Sequence, residues 1–513
     1  MSKELKPPVA ATTNGSKAPN FVPIKYPSST NTTNDNSNQQ TKIPDSKSKL
    51  KVVSLTIKSI DDVMKNGALL NQLNKFRLTD AGNAECFALL FKDSLRFCKS
   101  LKKWMKWDGV RWKIDTDGEA HRAAIFTARA RKAAATYIPN EDTKKNAERW
   151  AKDSESLAKR NAMLNTAIHL SSIEVQINQF DQNPFLAGVK NGTLDLKTGE
   201  FRESKRKDYL SMQFNVSFDP LAKAPRWEQF LYEVFAEDKE LIAWLQRAVG
   251  YSLTGDTSEQ KIFLCYGNGA NGKSVFLDVL SHLLGDYSGN CSFSTFDANK
   301  KNEATNDLAA LKGKRLVTVI ETDEDKRLAE ARVKAVTGQD NVSARFLYGE
   351  FFSYKPSFKI WMAMNHKPLI RGTDKGIWRR ILLIPFTQNF INKADPYLVS
   401  KLIEELPGIL NWGLEGLKEW KEKRLGSTKA IEEASDNYKK ESDLLQQWID
   451  ESLELEVQSI TASSDAYQAF AEWCRGRGFP IWSINSFGRA MTEKGFERKS
   501  NGKNREYVGF RLV

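Results

Sequence analysis

A glycine-rich loop between an apolar run and an amphipathic run constrains this chain more than any other feature. Within LCYGNGANGKSVF, residues 264–276, the loop fits the pattern G-x-x-x-x-G-K-[ST] in full. In this pattern the glycines let backbone N–H groups face phosphates, the lysine neutralises phosphate oxygens, and the hydroxyl ligates Mg²⁺. KIFLCY reads as a buried strand before the loop, and SVFLDVLSHLLG predicts a helix whose N-terminus points at the phosphates. The alternative is a merely flexible turn. The predicted nucleotide-binding residues are Gly267, Asn268, Gly269, Ala270, Asn271, Gly272, Lys273 and Ser274.

Three further polar positions adjoin strand-like runs downstream of the loop. Glu321 ends the run LVTVI, where an NTPase needs an acid to hold Mg²⁺ or polarise water; a solvated acidic turn is the alternative. Asn365 ends the run FKIWMAM, where an amide can position the attacking water or simply start a turn. Arg379 and Arg380 precede the run ILLIPF. An arginine so placed acts on a neighbouring subunit's nucleotide as an arginine finger, or else forms a structural ion pair.

The composition narrows the class of partner. The 513 residues carry a formal net charge of +13, which favours nucleic acid or a membrane surface over a merely basic background or a charged tail. No apolar run is long enough to span a bilayer, and the first residues lack the core of a signal peptide, so we expect a soluble, intracellular protein. The five cysteines form no CxxC pair and the four histidines have no ligand spacing. We therefore expect neither a zinc or transition-metal site nor a disulfide framework.

The pattern along the chain divides it into five regions. Residues 1–52 are too poor in apolar side chains to fold and predict a disordered basic tail. Residues 53–225 predict an α+β domain with hairpins at WDGVRWKIDTDG and VKNGTLDLKTGEF around a helical stretch. Residues 226–257 have apolar positions at helical spacing, and residues 258–430 alternate strands and helices as a wound α/β nucleotide-binding domain does. Residues 431–513 are helical and end in two strand-like runs around a basic Asn-Gly turn.

The last of these regions predicts a winged-helix DNA-binding module. Two helices with apolar stripes precede the strand-like runs, and residues 475–513 hold nine Lys or Arg against three Glu, a net charge of +6. The residues expected to enter a groove are Asn485, Ser486 and Arg489, and those expected to touch phosphates are Lys499, Lys503 and Arg505. A winged helix that serves protein contacts is the alternative, because the fold does not fix the partner.

The order of these motifs resembles the superfamily 3 helicases, AAA+ proteins, of the phage, plasmid and poxvirus primase-helicase type. Besides the loop, the similar stretches are LTDAGNAECF, WDGVRW, NGTLDLKTGE, LQRAVGYSLTGD, ETDEDKRLAEARVKAVTGQDNVSARFLYGE, FKIWMAMNHKPLIRGTDKGIWRRILLIPF and EELPGILNW. The resemblance covers about residues 75–513. The resemblance implies a helicase-associated N-terminal domain, a helical collar over residues 226–257 and an AAA+ motor over residues 258–430.

The resemblance also implies roles for single residues. The loop is similar to the Walker A motif, with Lys273 and Ser274 on phosphate and Mg²⁺, and Glu321 falls on the Walker B acid. Thr322 stands where many relatives have a second acid, and Asp323 comes one position later without an assigned role. Asn365 matches the sensor asparagine. The arginine finger is matched better by Arg380, which adjoins the strand, than by Arg379.

The segment TGQDNVSARFLYGEFFSYKP lies where such helicases carry a β-hairpin that projects into the central channel and grips DNA. Its expected tip offers Phe346 and Tyr348 for base stacking and Arg345 for a phosphate contact. A hairpin that packs only against its own domain is the alternative.

The activity implied is that of an ATP- and Mg²⁺-dependent replicative DNA helicase of a phage or other mobile element. Such proteins act on single-stranded and forked DNA as a homo-oligomeric ring, usually a hexamer. We expect no membrane partner and a cytoplasmic location in a bacterial host. We identify no clustered catalytic aspartates of a primase site in the upstream residues, so we expect primer synthesis to come from a separate primase or polymerase. The alternatives are a primase-helicase with its own primer-making site and an ATP-regulated replication initiator that binds an origin.

Overall fold

The computed structural model describes residues 59–298, 304–320, 326–345, 350–370, 375–500, 502 and 505–513. The expected tail, residues 1–52, lies outside them. So do five residues that the sequence assigns or considers for the site: Glu321, Asp323, Phe346, Tyr348 and Lys503.

The described elements alternate between helix-rich and strand-rich segments. The helices are α1 (Ile60–Met64), α2 (Gly67–Lys75), α3 (Asp80–Phe91), α4 (Glu119–Ala135), α5 (Glu141–Asp153), α6 (Leu157–Ala167), α7 (Pro225–Val234), α8 (Lys239–Leu253), α9 (Lys273–Leu284), α10 (Ala304–Ala310), α11 (Glu330–Thr337), α12 (Lys375–Trp378), α13 (Leu398–Glu404), α14 (Leu406–Lys423), α15 (Lys429–Ser442), α16 (Leu444–Ser452), α17 (Ser463–Gly476) and α18 (Ile484–Glu493). The strands are β1 (Leu95–Cys98), β2 (Lys103–Trp107), β3 (Trp112–Ile114), β4 (Glu174–Val175), β5 (Leu186–Val189), β6 (Gly192–Asp195), β7 (Phe201–Arg202), β8 (Ile262–Tyr266), β9 (Ser288–Ser292), β10 (Leu316–Ile320), β11 (Val342–Ala344), β12 (Phe352–Tyr354), β13 (Lys359–Met364), β14 (Ile381–Pro385), β15 (Leu453–Ala462), β16 (Arg498–Ser500) and β17 (Arg505–Leu512).

The first sheet has the order β3-β2-β1-β4, and a hydrophobic cluster covers each of its faces. Phe97 and Trp104 are paired across β1 and β2 and pack with Phe87 of α3 in a cluster that also takes in α4 and α6. On the other face, Met105 and Trp112 join a separate cluster. The hairpin predicted at WDGVRWKIDTDG is confirmed, because β2 and β3 pair antiparallel with Trp107 opposite Trp112.

The second predicted hairpin is also confirmed and is longer than expected. Strands β5, β6 and β7 form an antiparallel meander. Next come α7 and α8, where the predicted apolar stripe of Trp227, Phe230, Leu231 and Val234 is buried. Trp227 stacks on Phe276 of α9 at 5.6 Å between ring centroids, which ties this helical segment to the helix that follows the glycine-rich loop.

The largest sheet is parallel throughout, with the order β14-β8-β13-β10-β9. Every residue of β13 is buried, as expected for a central parallel strand covered on both faces. Its alternate residues enter two different clusters: Trp361 packs toward α7, α8, α9 and α14, whereas Met362 packs with Tyr354 of β12. Because the strands are parallel, all their carboxyl ends lie at one edge of the sheet, which is where such sheets bind ligands.

The C-terminal segment combines α16, α17 and α18 with a sheet of order β15-β17-β16. Trp448, Phe470, Phe487, Tyr507 and Phe510 form its core. The predicted apolar stripes on the two helices face this core, and the two strand-like runs pair antiparallel as β16 and β17. Within the described part of the chain, no helix is both long and apolar enough to cross a membrane.

Candidate nucleotide-binding site

The glycine-rich loop joins the carboxyl end of β8 to the start of α9, as the sequence predicts. Gly272 has φ +88°, a left-handed conformation that glycine adopts without strain, and it leads directly into Lys273, the first residue of α9. No side chain caps this end of the helix. A helix start with backbone N–H groups left for an external acceptor is a ready site for an anion.

Lys273 lies at the base of the loop. Its side chain is 5% exposed, and its ammonium donates to the Gly267 carbonyl at 2.5 Å and to Asn271 Oδ1 at 2.9 Å. Burial lowers the pKa of Lys273, while the neighbouring Cys265 thiol on β8 acts in the opposite direction. The two contacts on the ammonium are to neutral oxygens, so its positive charge is held without being neutralised.

The residues present fit a nucleoside triphosphate with Mg²⁺. A Cβ at Gly267 would overlap Asn271 Nδ2 and the Phe386 carbonyl, so the turn closes only with glycine, while no atom lies within 4 Å of a Cβ at Gly269. The exposed side of the loop is therefore open to a ligand. Ser274 is exposed in the first turn of α9, and its hydroxyl is of the kind that ligates Mg²⁺ in such loops.

Asn365 is brought next to the loop, although 98 positions separate it from Gly267 in the numbering of the chain. Met364, the last residue of β13, pairs with Tyr266, and the Gly267 N–H donates to the Met364 carbonyl at 3.3 Å. The exposed Asn365 side chain therefore starts at the same edge of the sheet, on the strand beside the loop. Glu321 lies outside the described residues, but β10 ends directly before it, and Ile320 pairs with Ala363 of β13.

The arginine pair lies at the opposite edge of the sheet. The Arg380 carbonyl accepts from the N–H of Ile262, the first residue of β8. Arg380 is 8% exposed, and its guanidinium donates to Thr337 Oγ1 at 3.1 Å and to the Gly376 carbonyl at 2.5 Å. Arg379 is exposed and reaches Gln260 Oε1 at 3.1 Å. Arg380, which the sequence prefers as arginine finger, is thus buried against its own chain, whereas the Arg379 side chain is exposed.

The hairpin expected to grip DNA is present as β11 and β12, paired antiparallel with Ala344 opposite Phe352. Its base is packed as the alternative interpretation required, since Tyr354 is buried and its hydroxyl donates to the Leu308 carbonyl at 2.5 Å. Its outer end is not packed away: Arg345 is exposed and lies 4.7 Å from the ring centre of Phe351, which is 61% exposed. Sequence reasoning missed Phe351, whose only signal is the aromatic pair FF next to the expected tip.

Most of the described residues predicted to bind DNA in the C-terminal segment have exposed side chains, and one is hydrogen-bonded within its own helix cap. Asn485 and Arg489 on α18 are exposed, as are Lys499 on β16 and Arg505 at the start of β17. The Ser486 hydroxyl is instead within 2.9 Å of the Ser483 hydroxyl, which caps the helix. The exposed groups are those available to a phosphate backbone.

A second cluster of buried cations lies at the amino edge of the large sheet, away from the loop. Arg315 is 3% exposed and donates to the Leu253 carbonyl at 2.8 Å and the Leu186 carbonyl at 2.5 Å. Lys359 is 2% exposed, donates to the Asp256 carbonyl at 3.1 Å, and has its pKa well below the usual range because of burial. Backbone carbonyls accept from both cations: Arg315 ties β5 and the end of α8 to the sheet, and Lys359 ties the segment after α8 to it, so we assign both to packing. No group of three or more His, Cys, Asp or Glu suited to a metal ion occurs among the residues that the structure describes.

Comparison with family models and known proteins adds independent findings. Residues 84–236 match a family described as D5 N terminal like, and residues 265–380 match a family of unknown function, DUF5906. The second match includes the loop and Asn365 and ends at Arg380. Each match covers less than half of the chain.

Three of the relatives are viral proteins. The chain is 27% identical to Putative helicase L207/L206 of Acanthamoeba polyphaga mimivirus over 58% of this chain and 34% of that protein. It is 27% identical to Putative helicase 022R of Frog virus 3 over 48% of this chain and 27% of that protein. It is 25% identical to Putative primase C962R of African swine fever virus over 58% of this chain and 34% of that protein. The chain thus matches about a third of the length of these curated relatives.

Among solved structures, the C-terminal region of NrS-1, residues 305–718, matches with a TM-score of 0.48 and 12% identity. The alignment covers 82% of this chain and 97% of that chain.

Proposed function

We propose that this chain is an ATP-dependent replicative DNA helicase of the viral primase-helicase family, which translocates on single-stranded DNA as an oligomeric ring. The observation that carries the proposal is the placement of Lys273 and the open loop beside Asn365 at the carboxyl edge of a parallel sheet. We assign residues 258–430 to an AAA+ motor, residues 53–225 to an N-terminal domain, residues 226–257 to a helical collar, and residues 431–513 to a linker and winged helix. The expected setting is the cytoplasm of a bacterial host, in a phage or other mobile element.

Some residues of the site bind ATP, and others take part in its hydrolysis. The N–H groups of the loop and of the first turn of α9 bind the phosphates, and Lys273 supplies a positive charge to the β and γ oxygens. Ser274 and Glu321 are the residues that would hold Mg²⁺. When bound, this ion neutralises charge that develops on the transferred phosphoryl group. Asn365 orients the attacking water through its amide.

An oligomer is needed for the arginine to act. Arg379 lies at the amino edge of the sheet, opposite the chain's own loop, so it cannot serve its own nucleotide. In a ring it is presented to a neighbouring subunit, where a guanidinium stabilises the negative charge of the transition state. The preferred assembly is a homo-oligomer, a hexamer in most proteins of the type that the sequence resembles.

Two surfaces are proposed to bind DNA. Arg345 and Phe351 flank the outer end of the β11–β12 hairpin, where a cation and an exposed ring suit phosphate contact and base stacking without sequence preference. Arg489, Lys499 and Arg505 form the second surface on the C-terminal unit. We propose that the hairpin grips the translocated strand and that the C-terminal unit contacts duplex or fork DNA.

Hydrolysis of ATP stimulated by single-stranded DNA tests the proposal. Wild type is expected to hydrolyse ATP faster when single-stranded DNA is present, and Lys273→Ala is expected to abolish that activity in a protein that thermal unfolding shows to be folded. Full DNA-stimulated hydrolysis by Lys273→Ala would sink the proposal.

A second candidate is a primase-helicase with its own primer-making site. It is favoured by the name of the African swine fever virus relatives, which are called primases. Incubation with a single-stranded template and labelled nucleotides distinguishes the two. A templated product would establish the second activity, and we expect a separate primase or polymerase to be required instead.

A further inference from the structure

One side chain of the glycine-rich loop is buried although its neighbours are not. Asn271 is 3% exposed, whereas Asn268, Gly269 and Ala270 are exposed. A buried amide requires partners for both its oxygen and its nitrogen, or it destabilises the fold. The sequence pattern gives no reason for an amide here, because the position falls among the unspecified residues of the motif.

Both polar atoms of this amide are hydrogen-bonded, the oxygen to a donor and the nitrogen to an acceptor. Asn271 Oδ1 accepts from the Lys273 ammonium at 2.9 Å, and Asn271 Nδ2 donates to the Phe386 carbonyl at 3.0 Å. The two partners fix the orientation of the amide, since the flipped form would place its NH₂ against an ammonium and its oxygen against a carbonyl. The amide therefore connects the lysine to a point on another segment of the chain.

That segment is itself rigidly held. Phe386 directly follows β14, its N–H donates to the Tyr266 carbonyl at 2.8 Å, and its ring lies 4.9 Å from that of Phe235. Four residues later, the Phe390 N–H donates to the Ala270 carbonyl at 2.8 Å. Two successive loop residues, Ala270 and Asn271, are thus hydrogen-bonded to the segment after β14. These bonds restrict the movement of the Phe386 carbonyl that accepts from Asn271.

We propose that Asn271 is a positioning residue for ATP: anchored on the Phe386 carbonyl, its amide holds the Lys273 ammonium at the place where the phosphate oxygens arrive. This inference rests on the proposed function. A lysine side chain has four flexible bonds, and holding it in the binding geometry beforehand avoids part of the ordering cost when the nucleotide binds. A neutral amide oxygen suits this task better than a carboxylate, because it orients the ammonium without competing with phosphate for its charge.

A double-mutant cycle on Mg·ADP affinity tests the inference. The four proteins are wild type, Asn271→Ala, Lys273→Ala and the double variant, with binding measured by calorimetry on the full chain. We expect Asn271→Ala to weaken binding about tenfold, as for the loss of a hydrogen bond to a charged group. Because Asn271 acts through Lys273, adding Asn271→Ala to Lys273→Ala should weaken binding by less than about twofold.

Two results separate failure of the inference from failure of the proposed function. If Lys273→Ala binds Mg·ADP as wild type does, the loop does not bind phosphate and the proposed function fails. If Lys273→Ala weakens binding and the two changes multiply fully, Asn271 acts on loop structure alone and the inference is overturned. Asn271→Asp adds the sign of the effect: it pairs the ammonium with a carboxylate and also loses the donor to the Phe386 carbonyl, so it should bind Mg·ADP more weakly than Asn271→Ala, and tighter binding would also overturn the inference.

The control for stability is Asn411→Ala. The Asn411 amide also donates to backbone carbonyls, those of Asp219 at 2.8 Å and Ala222 at 2.9 Å, but it lies outside the site. Its loss should lower the unfolding temperature to a similar degree as Asn271→Ala and leave Mg·ADP affinity unchanged. A tenfold loss of affinity in Asn411→Ala would show that general destabilisation explains the Asn271 result.

Discussion

Replacing Gly267 by alanine perturbs the loop at the point where it is most tightly closed. A Cβ at this position would overlap both Asn271 Nδ2 and the Phe386 carbonyl, the two partners of a 3.0 Å hydrogen bond. Nonbonded heavy atoms need a separation of about 3.5 Å, so the methyl group must displace the loop by about 1 Å. The hydrogen bond is broken, and the base of the loop opens away from the segment after β14.

The substitution lowers both activity and folding stability. A displacement of about 1 Å at a phosphate-binding group costs about 100-fold in rate, which corresponds to about 2.7 kcal/mol of transition-state stabilisation. Overpacking and the lost hydrogen bond together lower the free energy of unfolding by about 2–4 kcal/mol. For a chain of 513 residues this leaves a folded protein at assay temperature.

The assay is steady-state ATP hydrolysis with saturating single-stranded DNA, with thermal unfolding measured alongside. We expect kcat/KM of Gly267→Ala to fall about 100-fold. Gly269→Ala is the comparison within the same loop: no atom lies within 4 Å of its Cβ, so its loss should be at least about ten times smaller. A Gly267→Ala protein whose kcat/KM stays within about threefold of wild type would refute the argument that this closure positions the site.

The remaining predictions concern the sheet edge, the N-terminal domain and the C-terminal surface. Arg380→Ala should destabilise the fold by about 2–4 kcal/mol because it empties a buried, hydrogen-bonded position, whereas Arg379→Ala should keep the unfolding temperature and lower ATP hydrolysis in the assembled ring. Equal loss of stability in both variants would contradict this. Burial alone would raise the pKa of Asp108, but two backbone N–H groups and nearby Lys and Arg charges lower it overall. Its contribution to stability is therefore present above the pKa of about 3.9 of an unfolded aspartate and is lost as pH falls through the lower folded pKa. Asp108→Asn should lower the unfolding temperature slightly at pH 7, because solvent screens the interactions of an exposed carboxylate, and it should flatten the fall in unfolding temperature below pH 4; an unchanged slope would count against this. Finally, Arg489→Ala and Lys499→Ala should each weaken DNA binding and reduce the slope of log K against log salt by about 0.9; unchanged slopes would show that these residues do not touch phosphates.

Local patterns were enough to predict the elements that carry the site. The loop, the strand before it and the helix after it are contiguous, and their hydrophobic periods are distinct, so KIFLCY and SVFLDVLSHLLG fold as β8 and α9. The run LVTVI forms β10 with the predicted bounds, and the hairpins follow from their Asp-Gly and Asn-Gly turns. The predicted helical stripes around Trp227 and Phe487 are also buried, because their hydrophobic period is distinct.

The order of strands and the burial of single polar side chains could not be predicted in this way. Asn365 lies beside the loop only because β13 inserts between β8 and β10, and such pairings between distant segments leave no local pattern. The Asn271 amide meets a carbonyl 115 positions further along the chain. Arg379 and Arg380 are adjacent in sequence in the turn before β14, yet the first is exposed and the second is buried, a difference that the sequence pattern does not show.

The most direct test of the proposed activity is displacement of a labelled strand from a forked duplex by the purified chain with ATP and Mg²⁺. The account predicts that wild type releases the strand only when ATP is hydrolysed and that Lys273→Ala releases none, although it still binds the fork. Release by Lys273→Ala at the rate of wild type, or a wild type that hydrolyses ATP on single-stranded DNA without displacing a strand from any tailed substrate, would contradict it.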